Sequence, residues 1–203
     1  RNLSNFAATD PIGKAWWFLS RGLLFWTVGS FSYFLYPLIH AGEQTPFPWY
    51  SDIGYLMFMP FALFTLMTLR MNTNVAAPFK AWIAAFVVAM AISGLALIMN
   101  AEHLKEIGIA AFMVTMAYVV VNPMLLAMII VTASVLRGQP ICRPWWFALA
   151  GLFLFSIGDL LHVLLHNLGS AGNITVLLDL TWPVSSGLIA IAATTTCSIY
   201  RKT

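Results

Sequence analysis

The sequence predicts an all-α polytopic membrane protein: a bundle of six transmembrane helices with both termini in the cytoplasm. Three observations predict it. Of the 203 residues, 61% are hydrophobic and 8% charged, with a mean hydropathy of +0.85, whereas soluble domains carry about 25% charged residues. The apolar runs are long and unalternated, which selects spans of about 20 residues over the ~10-residue alternating strands of a barrel. Lys and Arg gather on one set of loops, which fixes the orientation.

Residues 1–14 are polar enough for a cytoplasmic tail or an interfacial helix. The transmembrane domain is expected over 15–200 and a cytoplasmic end over 201–203. Span 1, from Ala15 to Ile39, opens on the interfacial anchor Trp16-Trp17. A loop stiffened by Pro46 and Pro48 leads to Trp49-Tyr50 and span 2, Asp52 to Leu69. Span 3 covers Ala81 to Met99, and span 4 Ile107 to Leu136 with Asn122-Pro123 inside, where a kink is expected. Trp145-Trp146 anchor span 5, which reaches His166; span 6 runs from Ile174 to Tyr200. The chain opens on Arg1 rather than Met and is expected to be a piece of a longer protein.

The tail, the second and fourth turns and the C-terminus hold Arg1, Lys14, Arg70, Lys80, Arg137, Arg143, Arg201 and Lys202. Only Lys105 lies on the other side, with Arg21 inside a span, so the split is eight against one. That pattern places both ends inside. The +3 formal charge is scattered along the chain and predicts no nucleic-acid partner.

With this topology all four histidines (His40, His103, His162 and His166) fall in the outer half. So do six of the seven acids, all but Asp10. The concentration peaks at Gly158-Asp159-Leu160-Leu161-His162 and His166, followed by Leu178-Asp179-Leu180-Thr181-Trp182-Pro183. Asp159, His162 and His166 stand at i, i+3 and i+7, one stripe of a helix. An ionisable side chain within an apolar span is expensive and has a reason to be there. Two readings stay open. In one, Asp159 bonds a neighbouring Asn, Ser or Trp in a network that fixes helix packing. In the other, Asp159, His162, His166, Asp179 and Trp182 line an outward-facing site for a small ligand or ion. His162 and His166 at i and i+4 suit one metal, or a haem, with His40 or His103 completing the set.

The methionine pairs Met113/Met116 and Met124/Met128 follow helical spacing and are expected to pack. Ala190, Ala192, Ala193 and Thr194 to Thr196 give span 6 a small-residue surface for close helix contact. Cys142 and Cys197 lie at the reducing face and are expected to be free thiols. Asn173-Ile174-Thr175 matches a glycosylation sequon. No Gly-rich phosphate loop, Ser/His/Asp signature or zinc-spaced cysteine pair marks an enzyme.

Pro46-Phe47-Pro48-Trp49-Tyr50-Ser51-Asp52-Ile53-Gly54-Tyr55-Leu56 opens a span with prolines and an acid. Together with Gly158 to His162, Gly169, Leu178 to Pro183 and Ala190 to Ala193, it resembles the multi-helix membrane input domains of bacterial signalling proteins. Those domains precede diguanylate cyclase (GGDEF), phosphodiesterase (EAL) or histidine kinase domains. The family usually has an aromatic where His162 stands, and an acid where Leu125-Leu126 follow Pro123. The resemblance implies a sensory domain in the bacterial cytoplasmic (inner) membrane. Two further expectations stand beside it: a haem- or transition-metal-binding membrane subunit, and a non-catalytic accessory subunit of a larger complex. The expected surroundings are the lipid bilayer, with partner subunits or a second copy of the chain.

Overall fold

Six long helices account for the architecture, and each is long and apolar enough to cross a membrane. In the computed structural model the described residues are 10–71, 73, 75–101, 107–137, 143–167, 178 and 180–200, the side chains of 162–167 and 200 excepted. The helices are α1 (Pro11–Ile39), α2 (Tyr50–Met71), α3 (Phe79–Asn100), α4 (Ile109–Leu136), α5 (Arg143–Asn167) and α6 (Thr181–Tyr200). Among the described residues there is no strand.

Local chemistry sets the ends. Asp10 caps α1 by accepting the Ile12 N–H at 3.0 Å, and Pro11 follows at the first helical position, where a missing N–H costs nothing. The first span thus begins four residues before its expected start. At the far end Ala41 and Gly42 take positive φ, and the Gly42 N–H reaches back to the Pro37 carbonyl at 2.8 Å, closing the helix in a Schellman turn. α4 runs through Pro123 as one helix. α6 begins seven residues after the expected start of its span.

The helices sort into two compact units. One comprises α1, α2 and α4 as far as Val121; the other comprises α3, α4 from Asn122, α5 and α6. In lipid, apolar side chains gain little by leaving the solvent, so association depends on close packing and interhelical hydrogen bonds. Both units show these devices.

In the first unit α1 and α2 run antiparallel. Gly29 lies against Ser51 and Gly54, and Gly22 against Phe58 and Phe61 further along. A Cβ on Gly29 would stand 2.7 Å from the Ser51 carbonyl oxygen, so the backbones meet with no side chain between them. Phe25 stacks on Phe61 at 5.4 Å between ring centroids, and Phe18 flanks both Phe61 and Phe64. In the second unit α5 and α6 are also antiparallel. A Cβ on Gly151 would stand 2.8 Å from the Ser185 carbonyl oxygen, and one on Gly158 would collide with the Thr181 side chain. Ser185, Ile189, Ala192 and Thr196 form the buried stripe of α6. The small-residue surface expected in span 6 is thus half buried: Ala192 and Thr196 turn inward while Ala190 and Thr194 are exposed.

The methionines correct an expectation. Met113 and Met124 are 66% and 48% exposed, so their pairs do not fill a core. Helical spacing puts two residues on one face but does not say where that face points. Cys197 is a free, exposed thiol, as expected; Cys142 and Asn173 lie outside the described residues.

Candidate functional site

Among the described residues each unit holds one carboxylate inside a helix, Asp52 or Asp159, and the two are satisfied differently. Asp52 sits at the third position of α2. Its Oδ2 accepts the Trp49 N–H at 2.7 Å, the carboxylate arm of a capping box, where negative charge also suits the helix N-terminus. Its Oδ1 accepts the Tyr118 hydroxyl at 3.0 Å, tying α4 to α2. Asp52 is 8% exposed and both oxygens are engaged. It is a structural acid. Tyr118→Phe removes one charge-assisted bond and should destabilise the protein by about 1 kcal/mol in a thermal or denaturant melt in detergent, leaving the helix content unchanged.

Asp159 stands near the end of α5, one turn beyond fully buried Phe155. The indole Nε1–H of Trp182, in the first turn of α6, donates to its Oδ1 at 2.8 Å. The Asn122 side chain, on α4, interacts with the same carboxylate. Side chains of three helices of one unit thus meet at one acid. Asn122 is 1% exposed, and its Oδ1 has no partner among the described residues. The close packing of Gly158 on Thr181 holds Trp182, the next residue, within reach of Asp159. Thr181 in turn donates its hydroxyl to the Leu178 carbonyl at 2.6 Å.

Of the residues expected at the site, Asp159 and Trp182 come together. Their bond is of the kind the packing reading required, with Asn122 as a further partner. The side chains of His162 and His166, and all of Asp179 and His103, lie outside the described residues. His40 is exposed at the end of α1. Its ring stacks on Tyr36 at 4.0 Å, and with its proton on Nδ1 it donates to the Tyr36 carbonyl at 3.1 Å. Among the described residues no group of three or more His, Cys, Asp or Glu is placed to hold a metal ion.

Sequence reasoning passed over Asn122, Tyr118 and Asp52 as site partners. For Asn122 the signal was present: an amide in an apolar span needs partners just as a carboxylate does. Its neighbour Pro123 drew attention to the backbone instead. Compared with protein-family models, with curated proteins and with solved structures, the chain matches none.

Proposed function

We propose that this protein is a membrane sensory or regulatory domain of a bacterial inner membrane, with its ligand or ion site at Asp159. Asp179, Trp182, His162 and His166 join that site by their place in the sequence. One observation carries the reading: a carboxylate within a span binds α5 to α6 through Trp182 and to α4 through Asn122. Whatever docks at Asp159 competes for those bonds, so it prefers one helix arrangement over another. Differential affinity of this kind is what a switch requires. The α5–α6 seam, with backbone against side chain at Gly151 and Gly158, leaves little slack to absorb a shift. A change at the outer end therefore travels to the end that the Lys/Arg distribution places in the cytoplasm. The resemblance to input domains of signalling proteins points the same way.

The test needs no ligand. Nitroxide labels are placed on Trp146→Cys, exposed near the start of α5, and on native Cys197, exposed near the end of α6, with Cys142→Ser removing the other thiol. Because α5 and α6 are antiparallel, both labels sit at the end opposite Asp159. Asp159→Asn, which keeps an acceptor for Trp182 but loses the charge, should move or split the inter-label distance by about 1–2 Å or more in nanodiscs. Superimposable distributions for the two proteins would remove the sensory reading.

A further inference from the structure

We propose that the Asp159 site takes a small ligand bearing a single positive charge and N–H donors, either ammonium or a protonated primary amine. The inference rests on the ligand-site reading above and names the class of ligand.

Asp52 is the internal comparison. Each oxygen of its carboxylate accepts a hydrogen bond from a protein donor. At Asp159 something is left over. The Asn122 side chain interacts with the carboxylate, and its amide oxygen, in a side chain 1% exposed, has no partner among the described residues. A buried acceptor of this kind is normally satisfied, and an exception asks for an explanation. The amide is anchored to the carboxylate, so its unpaired oxygen belongs to the same polar spot as the acid.

The chemistry of what fits follows from the groups present. A carboxylate and an amide carbonyl both accept, so the occupant must donate or be a cation. One carboxylate balances one positive charge, which disfavours a divalent ion. Hard metal cations such as calcium also gather six or more oxygens, and the described residues supply two oxygen-bearing groups. An ammonium group is satisfied by a few hydrogen bonds, which the Asn122 carbonyl and the carboxylate provide. Trp182 contributes by holding the carboxylate in place through its Nε1–H. The apolar surroundings, with Phe155 fully buried one turn away, strengthen each of these interactions over their value in water.

Thermal unfolding of the full chain in nanodiscs, at constant ionic strength, tests this with four salts: ammonium, methylammonium, tetramethylammonium and sodium chloride. Ammonium and methylammonium should raise the midpoint by about 3–6 °C once present at roughly ten times their dissociation constant. Sodium should not, and neither should tetramethylammonium, which has the charge but no N–H. Equal midpoints in all four salts would overturn the proposal and point to a bound water on Asn122. A tetramethylammonium effect matching that of methylammonium would overturn it in favour of charge alone. A sodium effect matching ammonium would overturn it in favour of a metal ion. Asn122→Leu should abolish the ammonium response, and a retained response would assign the binding elsewhere; if that variant does not fold, the salt series on the native protein decides. An absent ammonium response with a persisting Asp159→Asn label shift rejects the ligand class and spares the switch. Loss of both rejects the two together.

Discussion

Replacing Gly54 with alanine should be the most damaging single-methyl change in the α1–α2 unit. The new Cβ would lie 2.7 Å from the Gly29 Cα and 2.8 Å from the Gly29 nitrogen, with the Phe25 carbonyl oxygen as close. All three obstacles are backbone, so no rotamer change relieves the clash and the two helices must separate. Separation also unstacks Phe25 from Phe61, and it removes the van der Waals contact on which helix association in lipid depends. The expected loss is at or above the top of the ~1–3 kcal/mol typical of overpacked cores. Gly94→Ala in α3 is the control, because nothing lies within 4 Å of its Cβ position. There the only effect is local, a gain of up to about 1 kcal/mol in helix preference. Melting curves of the two variants in the same detergent check the pair. Equal midpoints would mean that α1 and α2 do not touch at Gly54.

Asp159→Ala should be the second-largest loss, and a partner substitution should partly undo it. The alanine strands two donors, the Trp182 indole N–H and the Asn122 amide, in apolar surroundings. Unmet buried donors cost about 1–3 kcal/mol each in soluble proteins and nearer ~1 kcal/mol in membranes, where the unfolded chain also finds partners. A total near 2 kcal/mol is therefore expected. Asn122→Leu on the Asp159→Ala background removes one stranded amide and fills space with methyl groups. The double variant should then be more stable than the sum of the two single losses by about 1 kcal/mol. Additive losses in that cycle would show that Asn122 and Asp159 do not share a bond. Asp159→Asn keeps an acceptor for Trp182 and should lose less than the alanine, which separates the loss of a hydrogen bond from the loss of a charge.

The six helices were legible because lipid imposes a rule that composition obeys: a span must be long, apolar and internally hydrogen-bonded. The ends were less legible: α6 begins seven residues after the expected start of its span. The early start of α1 comes from Asp10 and Pro11, a cap and a first-turn proline that an apolarity count overlooks. The pairing of Asp159 with a tryptophan was open to inference because Trp182 returns at similar depth after a short turn. Asn122 was not chosen as its partner, although its side chain on α4 interacts with that carboxylate. The two stand 37 positions apart in the chain (159 − 122), and helix rotation, which no local pattern encodes, decides whether they meet. The methionines teach the same lesson in reverse: Met113 shares a face with Met116, but that face is 66% open at Met113.

The sequence by itself determined that this is an all-helical chain of six helices long and apolar enough to cross a membrane. That property depends on composition and on the length of the apolar runs. Tertiary structure alone decided that Asp52 is a cap tied to Tyr118, while Asp159 is a junction of three helices beside an unmet carbonyl. The difference arises because a carboxylate within a helix takes its character from the donors that packing brings to it, and Tyr118 and Trp182 stand far along the chain from the acids they meet.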